Sequence, residues 1–292
     1  MPAEDGSESR LRVRKTYKLA IGGAFPRSES GRSYPVEDAS GGLLAQAAQA
    51  SRKDVRDAVV AARKAFPGWA AATAYNRGQV IYRVAEMLEG RREQFASEVA
   101  AAEGGTADAA LRSVDDSIDR IVWYAGWADK FAQVAGSANP IAGPYFNFSV
   151  PEPTGVVAIL APQESSLLGF VSVLAPVLCT GNTAVIVASE RRPLPAVSLS
   201  EVLATSDLPG GVVNVLTGFT SELAPWLASH RDVNAIDLTG VAAGDRADLQ
   251  RAAADNVKRV YIPAGEDWTD EPGTARLTAF VETKTVWHPI GV

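Results

Sequence analysis

The 292-residue chain is 47% hydrophobic and 21% charged, with a formal net charge of −6 and a pI of about 5.1. That balance is ordinary for a globular protein, and the acidity argues against a general nucleic-acid surface. A single cysteine excludes intrachain disulfides and cysteine metal clusters, and two histidines, His230 and His288, leave little material for a zinc site.

The opening residues, MPAEDGSES, are acidic and polar, unlike a secretory signal peptide. No apolar run reaches the ~20 residues that span a bilayer, so the cytoplasm is the expected location. Residues 1–16 read as a disordered tail, and Arg10, Arg12, Arg14, Lys15 and Lys18 read as a solvated basic run. From 17 to 50, short apolar pieces broken by turn residues (IGGAF, ESGRSYPVEDASGG) predict hairpins and loops. Asp54, Val55, Ala58, Val59, Ala62 and Phe66 then recur at helical spacing, and further helical patterns cover 75–88 and 111–134. Trp123, Trp127 and Phe131, on the last of these, read as packing residues.

After Pro151 the text alternates. Apolar, β-branched runs at 156–160, 183–188, 212–216, 235–238 and 259–262 are separated by helical stretches at 167–179, 196–205, 221–229 and 247–257. Strands that are apolar on both faces, with helices between them, predict a doubly wound α/β domain built on a parallel sheet. Its ligand crevice falls at the carboxyl ends of the strands, at 161–164, 188–190, Gly218 and Thr239-Gly240. Residues 265–274 (GEDWTDEPGT) are polar and read as linker. The segment 277–287 (LTAFVETKTVW) alternates like a strand but has no sequence neighbour to pair with. Leu277, Ala279, Val281, Thr283, Thr285 and Trp287 form its more apolar face, expected to lie against protein. The opposite face, with Phe280 and Val286, is expected to be partly covered.

Several blocks in order resemble the aldehyde dehydrogenase superfamily: YKLAIGG (17–23), DVRDAVVAARKAFPGWAA (54–71), YAGWADK (124–130), PTGVVAILAP (153–162), GNTAVIVASE (181–190), LPGGVVNVLTG (208–218) and DLTG (237–240). The closing TKTVW (283–287) resembles that family's terminal strand. The resemblance implies a Rossmann-like cofactor-binding domain over 17–263 with N-terminal helices and a β-ribbon near 144–150. It also implies a linker at 264–276 where the family carries its catalytic domain, and an oligomerisation strand at 277–292.

The departures bear on chemistry. Aldehyde oxidation in that family needs a thiolate nucleophile, an oxyanion donor and a base that activates water. The only thiol, Cys179, falls at a structural position. Glu164 stands at the place of the oxyanion-holding asparagine, where its charge would repel a developing oxyanion. Pro263 stands at the place of the general-base glutamate and cannot accept a proton. The resemblance therefore implies no catalytic residue in this chain.

Cofactor contacts are thinned as well. Glu190 keeps the place of the ribose-binding glutamate, while Val187 replaces its lysine partner and Val241 the phosphate-contacting serine. Glu190, Gly218, Thr239 and Gly240 are the vestigial cofactor-binding residues, and each lost hydrogen bond costs about 0.5–1.5 kcal/mol. The expectation is no cofactor or weakly bound NAD or NADP. These readings converge on an inactive, pseudoenzyme-like member serving as a structural or regulatory subunit in a hetero-oligomer with a complete aldehyde dehydrogenase. The alternatives are a stand-alone NAD or NADP sensor, and residual oxidoreductase activity confined to a hetero-complex. No membrane or nucleic-acid partner is expected.

Overall fold

The computed structural model describes residues 13–291. Strand β1 (Thr16–Tyr17) runs parallel to β3 (Leu43–Ala48), which pairs antiparallel with β2 (Ser33–Glu37) in a small sheet ordered β1-β3-β2. Of the predicted tail, residues 1–12 lie outside the described residues, and with them Arg10 and Arg12 of the basic run. Within the remainder, the Lys15 ammonium reaches Glu201 at 2.6 Å and Thr16 pairs with Gln46.

Helix α1 (Arg52–Ala71) starts where its sequence dictates. The Ser51 hydroxyl accepts from the Lys53 and Asp54 amides, and the Asp54 carboxylate accepts from the Ser51 amide, closing a capping box. At α2 (Ala74–Glu89) and α4 (Ala107–Trp127) the Thr73 and Thr106 hydroxyls accept from the Asn76 and Ala109 amides, capping those helices without a reciprocal box. Between them lies α3 (Arg92–Glu103), which the sequence pattern did not mark; only Phe95, Val99 and Ala102 of it are buried, too few for a clear apolar stripe. A short α5 (Phe131–Ala135) leads to β4 (Ser137–Asn139) and the longer β5 (Tyr145–Pro153).

The alternating half follows as β6 (Val156–Leu160), α6 (Leu168–Cys179), β7 (Thr183–Val187), α7 (Leu194–Ala204), β8 (Val213–Leu216), α8 (Thr220–Ser229), β9 (Ala235–Asp237), α9 (Arg246–Ala254) and β10 (Arg259–Tyr261). Its five strands form one parallel sheet in the order β10-β9-β6-β7-β8. Every side chain of β6 and β7 is buried because helices cover both faces. Val157, Ile159, Ala184 and Ile186 face α2, α4, α6 and α7; Val156, Ala158, Leu160, Val185 and Val187 face α1, α8 and α9. This is the expected α/β class: a Rossmann-like, doubly wound parallel sheet with N-terminal helices.

The final segment departs from expectation in its first half. Residues 275–279 form a helical turn, α10 (Ala275–Ala279), and the strand is β11 (Val281–Pro289). The reason is spacing: Leu277 and Phe280, three apart, are both fully buried, and a helical turn brings such a pair to one side. The strand also has a partner in its own chain. β11 pairs antiparallel with β5 from Val281 opposite Pro153 to Pro289 opposite Tyr145, making a sheet ordered β11-β5-β4. The predicted facing is observed at Leu277 and Val281, which are buried, but not along the rest of the segment. Thr283, Thr285 and Trp287 are exposed, whereas Phe280 is buried and Val286 half-buried.

Candidate cofactor crevice

The strand order locates the crevice. The chain builds outward from β6 through β7 to β8, then returns to lay β9 on the other side of β6, so the switch point lies beyond the carboxyl ends of β6 and β9. There the Gly240 amide donates to the Leu160 carbonyl at 2.7 Å. A Cβ at Gly240 would stand 1.9 Å from the Ala161 carbonyl oxygen, so only glycine allows the two strand ends to meet this closely.

The four predicted cofactor residues fall in two places. Glu190 and Gly218 meet at the start of α8, where Glu190 Oε1 accepts the Thr220 amide at 2.5 Å and the Glu190 amide donates to Gln163 Oε1 at 2.9 Å. Thr239 and Gly240 lie at the switch point. The Thr239 amide donates to Asp237 Oδ1 at 2.9 Å and the Thr239 hydroxyl donates to the same oxygen. Val187 and Val241, which replace polar anchors, are both buried in the core.

Donors that could greet a phosphate are already engaged or offset. Ahead of α6, Glu103 Oε1 accepts from the Ser166 amide at 2.5 Å and the Ser166 hydroxyl at 2.6 Å. The start of α9 carries Asp245 and Asp248, carboxylates that favour the positive helix end and repel a second anion. Burial pushes the Tyr34 phenol, which packs against Phe219 at a centroid distance of 5.5 Å, well above its ordinary range.

The three catalytic places are equally readable. The Glu164 side chain is 81% exposed and sits 3.4 Å from Arg192, whose guanidinium also donates to the Glu164 carbonyl at 2.6 Å. Pro263 follows β10, half-buried. Cys179 ends α6, which runs antiparallel to the strands, so it lies at the opposite end of the sheet from the crevice. Burial pushes its thiol up to about 12, far from the range in which a thiolate forms near neutrality. Among the described residues, no group of three or more His, Cys, Asp or Glu side chains is placed to hold a metal ion. No helix among them is long and apolar enough to cross a membrane.

Sequence reasoning missed the most heavily bonded cluster at this end of the sheet. Asp237, fully buried in β9, meets the Arg276 guanidinium at 2.5 Å; the same guanidinium reaches Glu266 at 2.6 Å and the Thr239 hydroxyl at 3.0 Å. It stacks over the Tyr261 ring at 4.4 Å. The available signal was Asp237 itself, a charge inside a run otherwise destined for the core, which needs a buried partner.

A doubly wound sheet with its crevice at a topological switch point is the architecture of the dinucleotide-binding domains. The aldehyde dehydrogenase family profile matches residues 25–265, and the chain belongs to that family. It is 31% identical over 270 residues to a cytosolic aldehyde dehydrogenase 1 of Elephantulus edwardii, covering 91% of this chain and 53% of the relative. It is 34% identical to a retinal dehydrogenase 2 of Gallus gallus, covering 87% of this chain and 49% of the relative. Among solved structures, a putative aldehyde dehydrogenase from Burkholderia cenocepacia superposes with a TM-score of 0.80 at 30% identity. An NAD+ complex of an aldehyde dehydrogenase from Bacillus cereus gives 0.78 at 28%. Each of the two comparisons covers 84% of this chain and 50% of the other. The chain thus spans about half the length of the relatives it matches.

Proposed function

We propose that this chain is a non-catalytic member of the aldehyde dehydrogenase family that serves as a structural or regulatory subunit of a catalytically complete aldehyde dehydrogenase. The observation that carries the reading is the sheet β11-β5-β4. Its outer strand β11 is bonded along one side to β5 and offers its other side unpaired among the described residues. Tyr145, Phe146, Trp287 and Ile290 stand exposed around it, a concentration of apolar surface at a free strand edge. Such an edge is suited to strand addition by a partner's sheet.

The chemistry supports the same reading. The thiol is buried and remote from the crevice, Glu164 presents a carboxylate where an oxyanion would need a donor, and Pro263 can take no proton. Cofactor binding is weak or absent on this reading, because Glu190, Thr239 and Ser166 already hold internal partners.

The test is co-expression of the full chain with a full-length family member from the same genome. Co-purification is expected from the intact chain and is expected to fail when Trp287 and Ile290 are both changed to aspartate, which keeps the strand but charges its exposed rim. If the intact chain behaves as a monomer and captures nothing, the subunit reading is wrong.

A further inference from the structure

Residues 264–280 lead from β10 to β11, starting at the end of the matched family region. Their composition reads as a solvated linker, yet the segment is gripped from both sides by buried arginines. From the domain, Arg120 of α4 donates to the carbonyls of Trp268 at 2.7 Å and Asp270 at 2.8 Å, while its other nitrogen donates to the Ser172 hydroxyl at 2.9 Å. From the segment, Arg276 reaches back into the domain.

The Arg276 side chain is 7% exposed, and its planar fork finds acceptors on two sides. One terminal nitrogen donates to Asp237 at 2.5 Å, and the other to Thr239 at 3.0 Å and to both oxygens of Glu266 at 2.6 and 2.8 Å. Tyr261 lies under the guanidinium at 4.4 Å and Trp268 beside it at 5.7 Å. Tyr261 in turn donates its hydroxyl to Glu266 at 3.0 Å. Acceptors reached from both terminal nitrogens, with aromatic rings alongside, match a guanidinium and not an ammonium.

We infer that residues 264–276 form an intramolecular strap, latched by Arg276 in a socket made by Asp237, Thr239 and Tyr261, which closes the β9 side of the crevice and opens as a unit. The socket uses the side chains that flank the switch point, so the latched strap and a ligand at Thr239 compete for the same groups. Beyond the strap, Leu277 and Phe280 stay anchored in the core; residues 264–274 are held mainly through the two arginines. The device is independent of any partner on β11, since it is built wholly within one chain.

Native-state hydrogen exchange followed by mass spectrometry on the intact chain tests it. In the unaltered protein, peptides spanning 264–274 are expected to exchange through a partial opening, faster than β6 and β7. Arg276→Ala is expected to raise strap exchange by about tenfold or more, the scale of losing a hydrogen bond to a charged partner, with β6 and β7 protection retained. Guanidinium at tens of millimolar should restore protection in Arg276→Ala, while equal sodium chloride should not; Arg276→Lys should leave the strap open. If the unaltered strap exchanges only with global unfolding, or if Arg276→Ala leaves its exchange unchanged, there is no latch. Should Arg276→Ala fail to fold, the unaltered chain in low urea decides the point, because a strap that opens as a unit is released before the sheet.

Discussion

Replacing Phe280 with alanine is expected to cost the folded chain about 3–5 kcal/mol, the range for deleting a buried phenylalanine ring. The residue sits between α10 and β11 with no exposed surface, its ring 6.0 Å from that of Tyr261. Transfer of the ring to water accounts for about 1.5–3 kcal/mol, and the cavity left behind accounts for the remainder. That cavity resists collapse because the backbone around it is pinned. The Phe280 carbonyl accepts from Asn182 Nδ2 at 2.8 Å and from the Thr154 amide at 3.2 Å, bonds that tie α10 to the loops flanking β6 and β7. Urea denaturation followed by far-ultraviolet circular dichroism measures the loss, and the melting temperature should fall by on the order of 10 °C. Trp287→Ala is the control: at 60% exposure it should change stability by less than about 1 kcal/mol. A Phe280→Ala chain with β11 intact and a loss below about 1 kcal/mol would refute the view that this segment is part of the core.

Further outcomes are checked separately. The purified chain should give no NADH from any short aliphatic or aromatic aldehyde, and Cys179→Ala should leave that result unchanged; turnover that vanishes with the substitution would overturn the reading. Cys179 should be alkylated by iodoacetamide only on unfolding, as its thiol is buried and pushed up to about 12, and rapid labelling of the native chain at pH 8 would contradict this. Calorimetric titration should find NAD binding at a millimolar dissociation constant or none, and a micromolar constant, about 4 kcal/mol tighter, would favour a sensor. Burial foremost, then the charges of Lys258 and Arg63 against the opposing pull of Asp232, holds the His230 imidazole below its ordinary value. The unfolded chain therefore binds a proton more readily, so this contribution is intact above about pH 6.5 and declines as pH falls through the folded value. His230→Gln should flatten the slope in that window, and an unchanged slope would assign it to other groups.

The sheet was legible because its chemistry is one-dimensional. Val156, Val157, Ala158, Ile159 and Leu160 are apolar without interruption, and a run that short, β-branched and repeated between helical stretches fits a strand covered on both faces. The crevice was legible through topology, since strand order fixes where a switch point falls. The strap was hidden because its partners are far apart in sequence: Arg276 meets Asp237 across 39 residues, and Arg120 meets Asp270 across 150. A polar, proline-containing stretch looks the same whether solvent or two buried arginines satisfy it. Helix α10 was mistaken for strand because LTAFV fits both periods over so short a run, and only the joint burial of Leu277 and Phe280 separates them.

The pairing of β11 with β5 also sets an order of events. Ser149 and Thr285, whose hydroxyls meet across the two strands at 2.8 Å, are 136 residues apart. Contacts that distant close slowly, because the loop entropy is lost before any of the pairing is gained. During synthesis the parallel sheet through β10 can assemble while β5, with Phe146, Phe148 and Val150, still waits for its second neighbour. A nascent chain thus carries an aromatic strand with β4 on one edge and the other edge unpaired until residues 281–289 emerge. That interval is when a chaperone, or a second polypeptide being made nearby, has its best opportunity to bind.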